Sequence, residues 1–304
     1  MLKRYQIVSE RIVESDEEKS PILVYFNPDE SEKQFLVDNY KIDEHTLNSA
    51  LDPDEPSRLE FEPNHLAFIF KRPRNYSAKD YLLFKAATMG VFFSSDFLIL
   101  VLNEEINPFD GKHFAKVTSL ANLMLKLIYR SIYHFLEHLR VMTMISDDLE
   151  QKINRSMENK HLINLFTLQK SLVYYLNAID SNGVLVEKLK NNAIKVGFTQ
   201  EELEFLDDII IENSQCYRQA EIYSNILASL MDARASIVNN NLNVLMKTLN
   251  VIVIAIMMPT FVVSVFSMNV KIPLQNLTYA FWIIAGLAIF SMLGFLLFWH
   301  YKRW

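Results

Sequence analysis

Cysteine is nearly missing from this chain. Cys216 is the only one in 304 residues, which excludes a disulfide within the chain and a cysteine-based zinc site. No long run of lysine and arginine occurs, and the net charge is −6 with a pI near 5.7. Together these give no indication of the basic face of a nucleic-acid binder. No P-loop is found, so nothing points to ATP-driven chemistry. The opening residues MLKRYQIVSERIVESDEE hold no apolar core, so no signal peptide is expected. Proline is absent from 112–192 and Gly183 is the only glycine there; after Gly197 neither type returns until Pro259. Charge is absent from 248–270.

What is present follows from these gaps. Half the residues are hydrophobic and 22% are charged, with a mean hydropathy of +0.08. That mixture suits a soluble part joined to a membrane part. The charge-free run 248–270, between Lys247 and Lys271, is long enough to cross about 30 Å of hydrocarbon as a helix. It holds Asn250, Pro259, Thr260 and Ser264, polar groups of a kind that face protein or water rather than lipid. A second run, 279–299, carries aromatic residues at both ends, as an interfacial belt would. His300, Lys302 and Arg303 follow it, and the positive-inside bias assigns that end to the cytoplasm. Two spans return the large N-terminal part to the same side.

Residues 1–110 read as a cytosolic mixed α/β domain. PILVYFN (21–27), RLEFEP (58–63) and HLAFIFKRP (65–73) have strand composition, with a turn at Pro63-Asn64. The stretch 81–105 reads as further strands, with turns near Met89-Gly90 and Ser94-Ser95-Asp96. DESEKQFLVDNY and DEHTLNSALD read as short helices opened by acidic residues. Residues 111–198 read as two long antiparallel helices breaking between 154 and 164. Thr199 with Glu202 three residues on forms a capping box, and one helix is expected from there to Phe266, on the order of 100 Å long. Its first part, 199–247, is a stalk and its second, 248–270, the first span. A loop (271–278), the second span (279–299) and a basic tail (300–304) complete the chain.

Asp232, Asn239, Asn243, Met246, Leu249, Val253, Met257, Thr260, Ser264 and Ser267 recur by three, four or seven and share one helical face. Oxygen-bearing side chains (232–243), apolar ones (246–257) and oxygen-bearing ones again (260–267) succeed one another along it, unlike a plain core or lipid-facing stripe. Repeated around an axis, it makes a pore with hydrophilic stations and dry constrictions.

Asn243, Met246, Leu249, Met257, Pro259, Thr260 and then Met268-Asn269 fall, with no gap, at the spacing of the CorA-type divalent-cation channels, which the chain resembles. LDPDEPSRLEF (51–61) and the KRW ending are similar to that family as well. The resemblance implies an α+β cytosolic domain, long stalk helices and two C-terminal transmembrane helices in a homopentameric funnel lined by the first span. It implies passive influx of hydrated Mg²⁺, with Co²⁺, Ni²⁺ or Zn²⁺ as other candidates, through the bilayer and with no cofactor. Ser267, Met268 and Asn269 would be the selectivity station. Asn243 would be an inner ring, Met246 and Leu249 constrictions, and Asp232 an acidic ring at the entrance. Asp208 falls at a position of the family's regulatory metal site. The segment KRPRNYSAKD, where the partner acid belongs, is mostly basic.

The sequence also departs from that family. Ser267 stands where it has glycine, and Phe266 where it has tyrosine. The loop VKIPLQNLT has no acid and carries Lys271, where the family's loop is often acidic. These departures support a second reading: a pentameric membrane-anchored divalent-cation sensor or scaffold that conducts nothing. A third, a membrane-anchored metallohydrolase, rests on His134, Glu137 and His138, which fit H-x-x-E-H.

Overall fold

The computed structural model describes residues 1–17, 19–76, 82–155, 159–270 and 277–302. The chain divides into two compact units, Met1–Met231 and Asp232–Trp304.

The first unit is built on one mixed seven-stranded sheet, ordered β2-β1-β3-β7-β6-β5-β4. The strands are β1 (Leu2–Val8), β2 (Arg11–Glu14), β3 (Ile22–Phe26), β4 (Arg58–Phe61), β5 (Leu66–Pro73), β6 (Ala86–Phe93) and β7 (Leu98–Leu102). The central pair, β3 and β7, is parallel, and all other pairs are antiparallel. Both faces of this centre are covered, which explains the unbroken apolar runs ILVYF and LILVL. Ile22, Val24 and Phe26 join one core cluster while Leu23 and Tyr25 join the other, following the period of two. Helices α1 (Glu30–Tyr40) and α2 (Glu44–Leu51) lie over one face through Leu36 and Leu47. Helices α3 (Leu120–Arg155) and α4 (Asn159–Asn191) cover the other. Phe135 and Tyr175 lie edge to face at 4.8 Å. Each is about equally far from the α3–α4 connection, so the two helices run antiparallel. The connection itself, 156–158, lies outside the described residues, so only part of the expected break is described.

Three details differ from the sequence pattern. The turn expected at Met89-Gly90 is not there, since β6 runs straight through it. A Cβ at position 90 would collide with that of Ala50 on α2, so the glycine serves close helix–sheet approach. β1 and β2 carry no turn signal because Ser9 and Glu10 make the hairpin, at φ 49° and 61°, without the glycine or asparagine such turns favour. Finally, α3 starts at Leu120 rather than near 112. Ser119 Oγ accepts the Asn122 N–H at 2.8 Å as its cap, and Lys112–Phe114 form a separate 3-10 turn.

A four-residue helix, α5 (Ala193–Val196), ends on Gly197 at φ +83°, and α6 (Gln200–Phe266) follows. The capping box is formed: Glu202 accepts the Thr199 N–H at 2.9 Å, and Thr199 Oγ1 accepts the Glu202 N–H at 3.3 Å. Glu202 also accepts from Ser119 Oγ at 2.6 Å, so one buried carboxylate ties the starts of α3 and α6 together. In the second unit α6 ends at Phe266 and α7 spans Ala280–Lys302.

Candidate functional site

α6 carries all of the stripe but Ser267, which sits just past its end. At 100° per residue the ten positions fall within about 120° of arc and extend about 50 Å along the axis. Asp232, Asn239, Asn243, Met246, Leu249, Val253, Met257, Thr260, Ser264 and Ser267 are all exposed in the single chain. The amides of Asn239 and Asn243 have no hydrogen-bond partner among the described residues. Thr260 differs: its Oγ1 donates to the Ile256 carbonyl at 2.7 Å, next to Pro259, which has no N–H to give the helix.

Bare apolar surface surrounds this stripe. The apolar windows of α6 and α7 are 6% buried, and both helices are long and apolar enough to cross a membrane. Soluble monomers rarely expose a contiguous apolar patch above a few hundred Å². Lipid or further protein must therefore cover this unit.

At the end of α6 the Ser264 carbonyl accepts twice from Ser267, from its N–H at 3.2 Å and its Oγ at 2.9 Å. The backbone at Ser267 is not among the positions of positive φ. A serine is therefore accommodated without left-handed strain, and its hydroxyl keeps lone pairs free to accept. Met268 and Asn269 follow, both exposed, and the Asn269 amide has no partner among the described residues. Lys271 and most of the loop, 271–276, lie outside the described residues, as do Arg303 and Trp304.

Asp208 is exposed on α6, and beside it Asp207 pairs with Lys190 at 2.5 Å. Burial raises the Tyr129 phenol, helped by the charges of Glu212 and Asp208. Among the described residues no group of three or more His, Cys, Asp or Glu side chains could hold a metal ion.

The H-x-x-E-H word is not a zinc site. Glu137 turns away to Arg130 at 3.1 Å. His134 and His138 lie edge to face at 4.4 Å, and His138 Nδ1 is 2.6 Å from the Tyr175 hydroxyl. Burial, then the neighbouring histidine and arginines, pushes His134 down to about 3; burial takes His138 down to about 4. Both stay neutral when folded, while in the unfolded chain they take up protons below about pH 6.5. Stability should therefore fall as pH drops from 6.5 towards 4, by on the order of 1 kcal/mol per pH unit for each histidine. Urea unfolding at stepped pH should show a shallower acid slope in His134→Gln than in the wild type. Equal slopes would remove the histidines from the account.

The sequence pattern did not mark the polar clamps inside the first unit. Asn182, fully buried, bonds both peptide groups of Lys71 on β5 at 2.9 Å, and Asn213 Nδ2 on α6 donates to the Ile179 carbonyl of α4 at 3.1 Å. Each sits in a helical run where nothing local separates it from a solvent-facing asparagine.

Comparison with known proteins places these features in context. A family model described as "CorA-like Mg2+ transporter protein" matches residues 19–303. The "Cobalt/magnesium transport protein CorA" of Methanocaldococcus jannaschii is 22% identical over 293 residues, covering 92% of this chain and 89% of that one. The complete structure of the CorA magnesium transporter from the same organism superposes with a TM-score of 0.84 at 20% identity, over 98% of this chain and 96% of that one. The full-length CmaX protein gives 0.72 at 14% identity, over 98% and 96%. At these identities the structural matches establish the fold.

Proposed function

This chain belongs to the CorA-like Mg²⁺ transporter family, and on that footing we propose that five copies assemble in the cell membrane into a passive channel for hydrated divalent cations, Mg²⁺ first among them. Members of the family are ion transporters rather than enzymes, and the metallohydrolase reading is set aside. In the proposed assembly the stripe of α6 lines the pore and both termini are cytoplasmic. The observation that carries this reading is the stripe itself: a carboxylate and amides, then thioether and aliphatic side chains, then hydroxyls, exposed on a helix whose apolar surface needs cover.

Mg²⁺ gives up its water reluctantly, so a filter can read the hydrated ion. The Asn269 carbonyls accept hydrogen bonds from the polarised waters, with Ser267 Oγ beside them. A neutral amide ring attracts without trapping, which conduction requires. Asn243 and Asn239 repeat the station deeper in the pore, and Met246, Leu249 and Met257 are apolar rings that close by dewetting. Thr260 and Ser264 add hydroxyls between Met257 and the Asn269 station, and Asp232 gathers cations at the inner mouth. An inside-negative potential drives a 2+ ion inward with about 4.6 kcal/mol per 100 mV. Asp208 is kept as a regulatory ligand whose partners come from a neighbouring copy. The family assignment does not favour the non-conducting sensor.

Mg²⁺ flux into proteoliposomes under an inside-negative potential tests the reading. We expect potential-dependent uptake by the wild type, changed less than threefold in Ser267→Gly, because the serine is unstrained. Uptake only after Ser267→Gly would restore the sensor reading for the natural chain. No uptake of Mg²⁺, Co²⁺, Ni²⁺ or Zn²⁺ by either would remove the channel reading.

A further inference from the structure

The basic segment at the end of β5 belongs to the first unit, whereas the candidate pore stripe belongs to the second. Lys71 and Arg74 open onto a cavity of about 480 Å³ in the first unit, with Lys85 on its rim. The cavity lies beside the end of β7, at the carboxyl end of the parallel β3–β7 pair, where open α/β sheets commonly seat ligands. Tyr174 of α4 lines it as well.

The lining is polarised and incompletely paired. Lys71 is 5% exposed, and its ammonium bonds the Pro53 carbonyl at 2.5 Å. Burial lowers its pKa, against the pull of Asp54, Asp52 and Glu55. Lys85 is exposed and makes no ion pair among the described residues. Glu104 adds little free negative charge, since it already bridges Arg72 Nη2 at 2.6 Å and Arg74 Nε at 3.3 Å. Asn103 Oδ1 is buried with no hydrogen-bond partner. A buried acceptor left unpaired costs about 1–3 kcal/mol, so a turn of the Asn103 amide that offers this oxygen to a ligand N–H or O–H in the cavity is favoured.

We propose that this cavity binds a nucleoside phosphate. Lys71, Arg74 and Lys85 supply the counter-charge of the phosphate, Asp54 and Asn103 accept from ribose hydroxyls or base N–H groups, and Tyr174 offers a ring surface. A bare inorganic anion has no use for the acceptors or the ring and leaves most of the volume empty. The volume falls in the usual range of ligand pockets, roughly 300–1,000 Å³. The site also touches the internal framework: the peptide groups of Lys71 are those held by Asn182 of α4, one turn from Ile179, which binds Asn213 of α6. Occupancy at Lys71 thus bears directly on the contact between sheet and helices, and the site is suited to report nucleotide level. The proposal does not depend on conduction.

Isothermal titration of the full-length protein in detergent, with EDTA present, tests it with ADP and inorganic phosphate as probes. We expect saturable ADP binding, with phosphate at least about tenfold weaker. Lys85→Gln and Arg74→Gln, both on exposed side chains, should each weaken ADP about tenfold or more. Lys116→Gln, an exposed lysine outside the cavity, should leave it unchanged. Absence of saturable ADP binding, or equal affinity in wild type and both cavity variants, overturns the site. Phosphate binding as tightly as ADP overturns the nucleoside.

Discussion

Asn269→Ala should abolish Mg²⁺ uptake, lowering flux by on the order of 100-fold while the protein still folds and assembles. Asn269 is exposed past the end of α6 and makes no hydrogen bond among the described residues, so removing its amide breaks nothing internal. A loss of stability is therefore not expected, and unchanged thermal unfolding is part of the prediction. What is lost is acceptor capacity for the waters around the ion. Hydrogen bonds to charged partners contribute about 1.5–3 kcal/mol each. A rise of about 2.7 kcal/mol in the entry barrier is already 100-fold in rate. Asn269→Asp gives an independent check. A ring of carboxylates should bind the ion more tightly and release it more slowly, so uptake should saturate at lower Mg²⁺ and reach a lower maximum. Wild-type flux in Asn269→Ala would mean that the outer station lies elsewhere and that the stripe has been read from the wrong end.

How legible this molecule is in its sequence depends on how local each signal is. Pro63-Asn64 and the Thr199–Glu202 box are short-range devices, and the structure has them where the pattern puts them. The length of α6 could be read because nothing breaks it except Pro259, which the helix tolerates. Gly90 misleads because the same residue serves a turn or a close approach, and only Ala50, forty residues away, decides between them. The Ser9-Glu10 hairpin is invisible because its residues are atypical for the conformation they adopt. The candidate pore stripe was legible as a period along one helix. The cavity at Lys71 was not, because it draws on β5, β6, the residues after β7, α4 and the segment after α2. The basic KRPR word by itself marks only the lack of an acid there. Its side chains acquire a common purpose only once the sheet has folded.

Asn182→Leu should destabilise the first unit by about 3–5 kcal/mol and lower its unfolding temperature by about 10 °C. The reason lies in strand pairing. β4 accompanies β5 only as far as Arg58 opposite Ile69, so at Lys71 that edge of β5 has no strand beside it. Asn182 takes the strand's place. Its Oδ1 accepts the Lys71 N–H and its Nδ2 donates to the Lys71 carbonyl, both at 2.9 Å, and Ser57 Oγ donates to the same Oδ1 at 2.6 Å. A side-chain amide is the one neutral group that offers donor and acceptor together as a peptide does. Leucine fills a similar volume, so the effect isolates the hydrogen bonds: a buried N–H and a buried carbonyl are left unpaired, at about 1–3 kcal/mol each. Ser57→Ala removes the donor to Asn182 Oδ1 and an acceptor of Ser181 Oγ, which keeps the Ala178 carbonyl, and it leaves the pair to Lys71 intact; it should cost about 1 kcal/mol. Amide exchange at Lys71 is the direct readout, since it should accelerate in Asn182→Leu before global unfolding and stay protected in Ser57→Ala. Equal unfolding temperatures for the two variants would show that packing of α4 on the sheet, rather than this clamp, holds the edge of β5. The nucleotide proposed beside Lys71 would then have no lever on the helices, even if it binds.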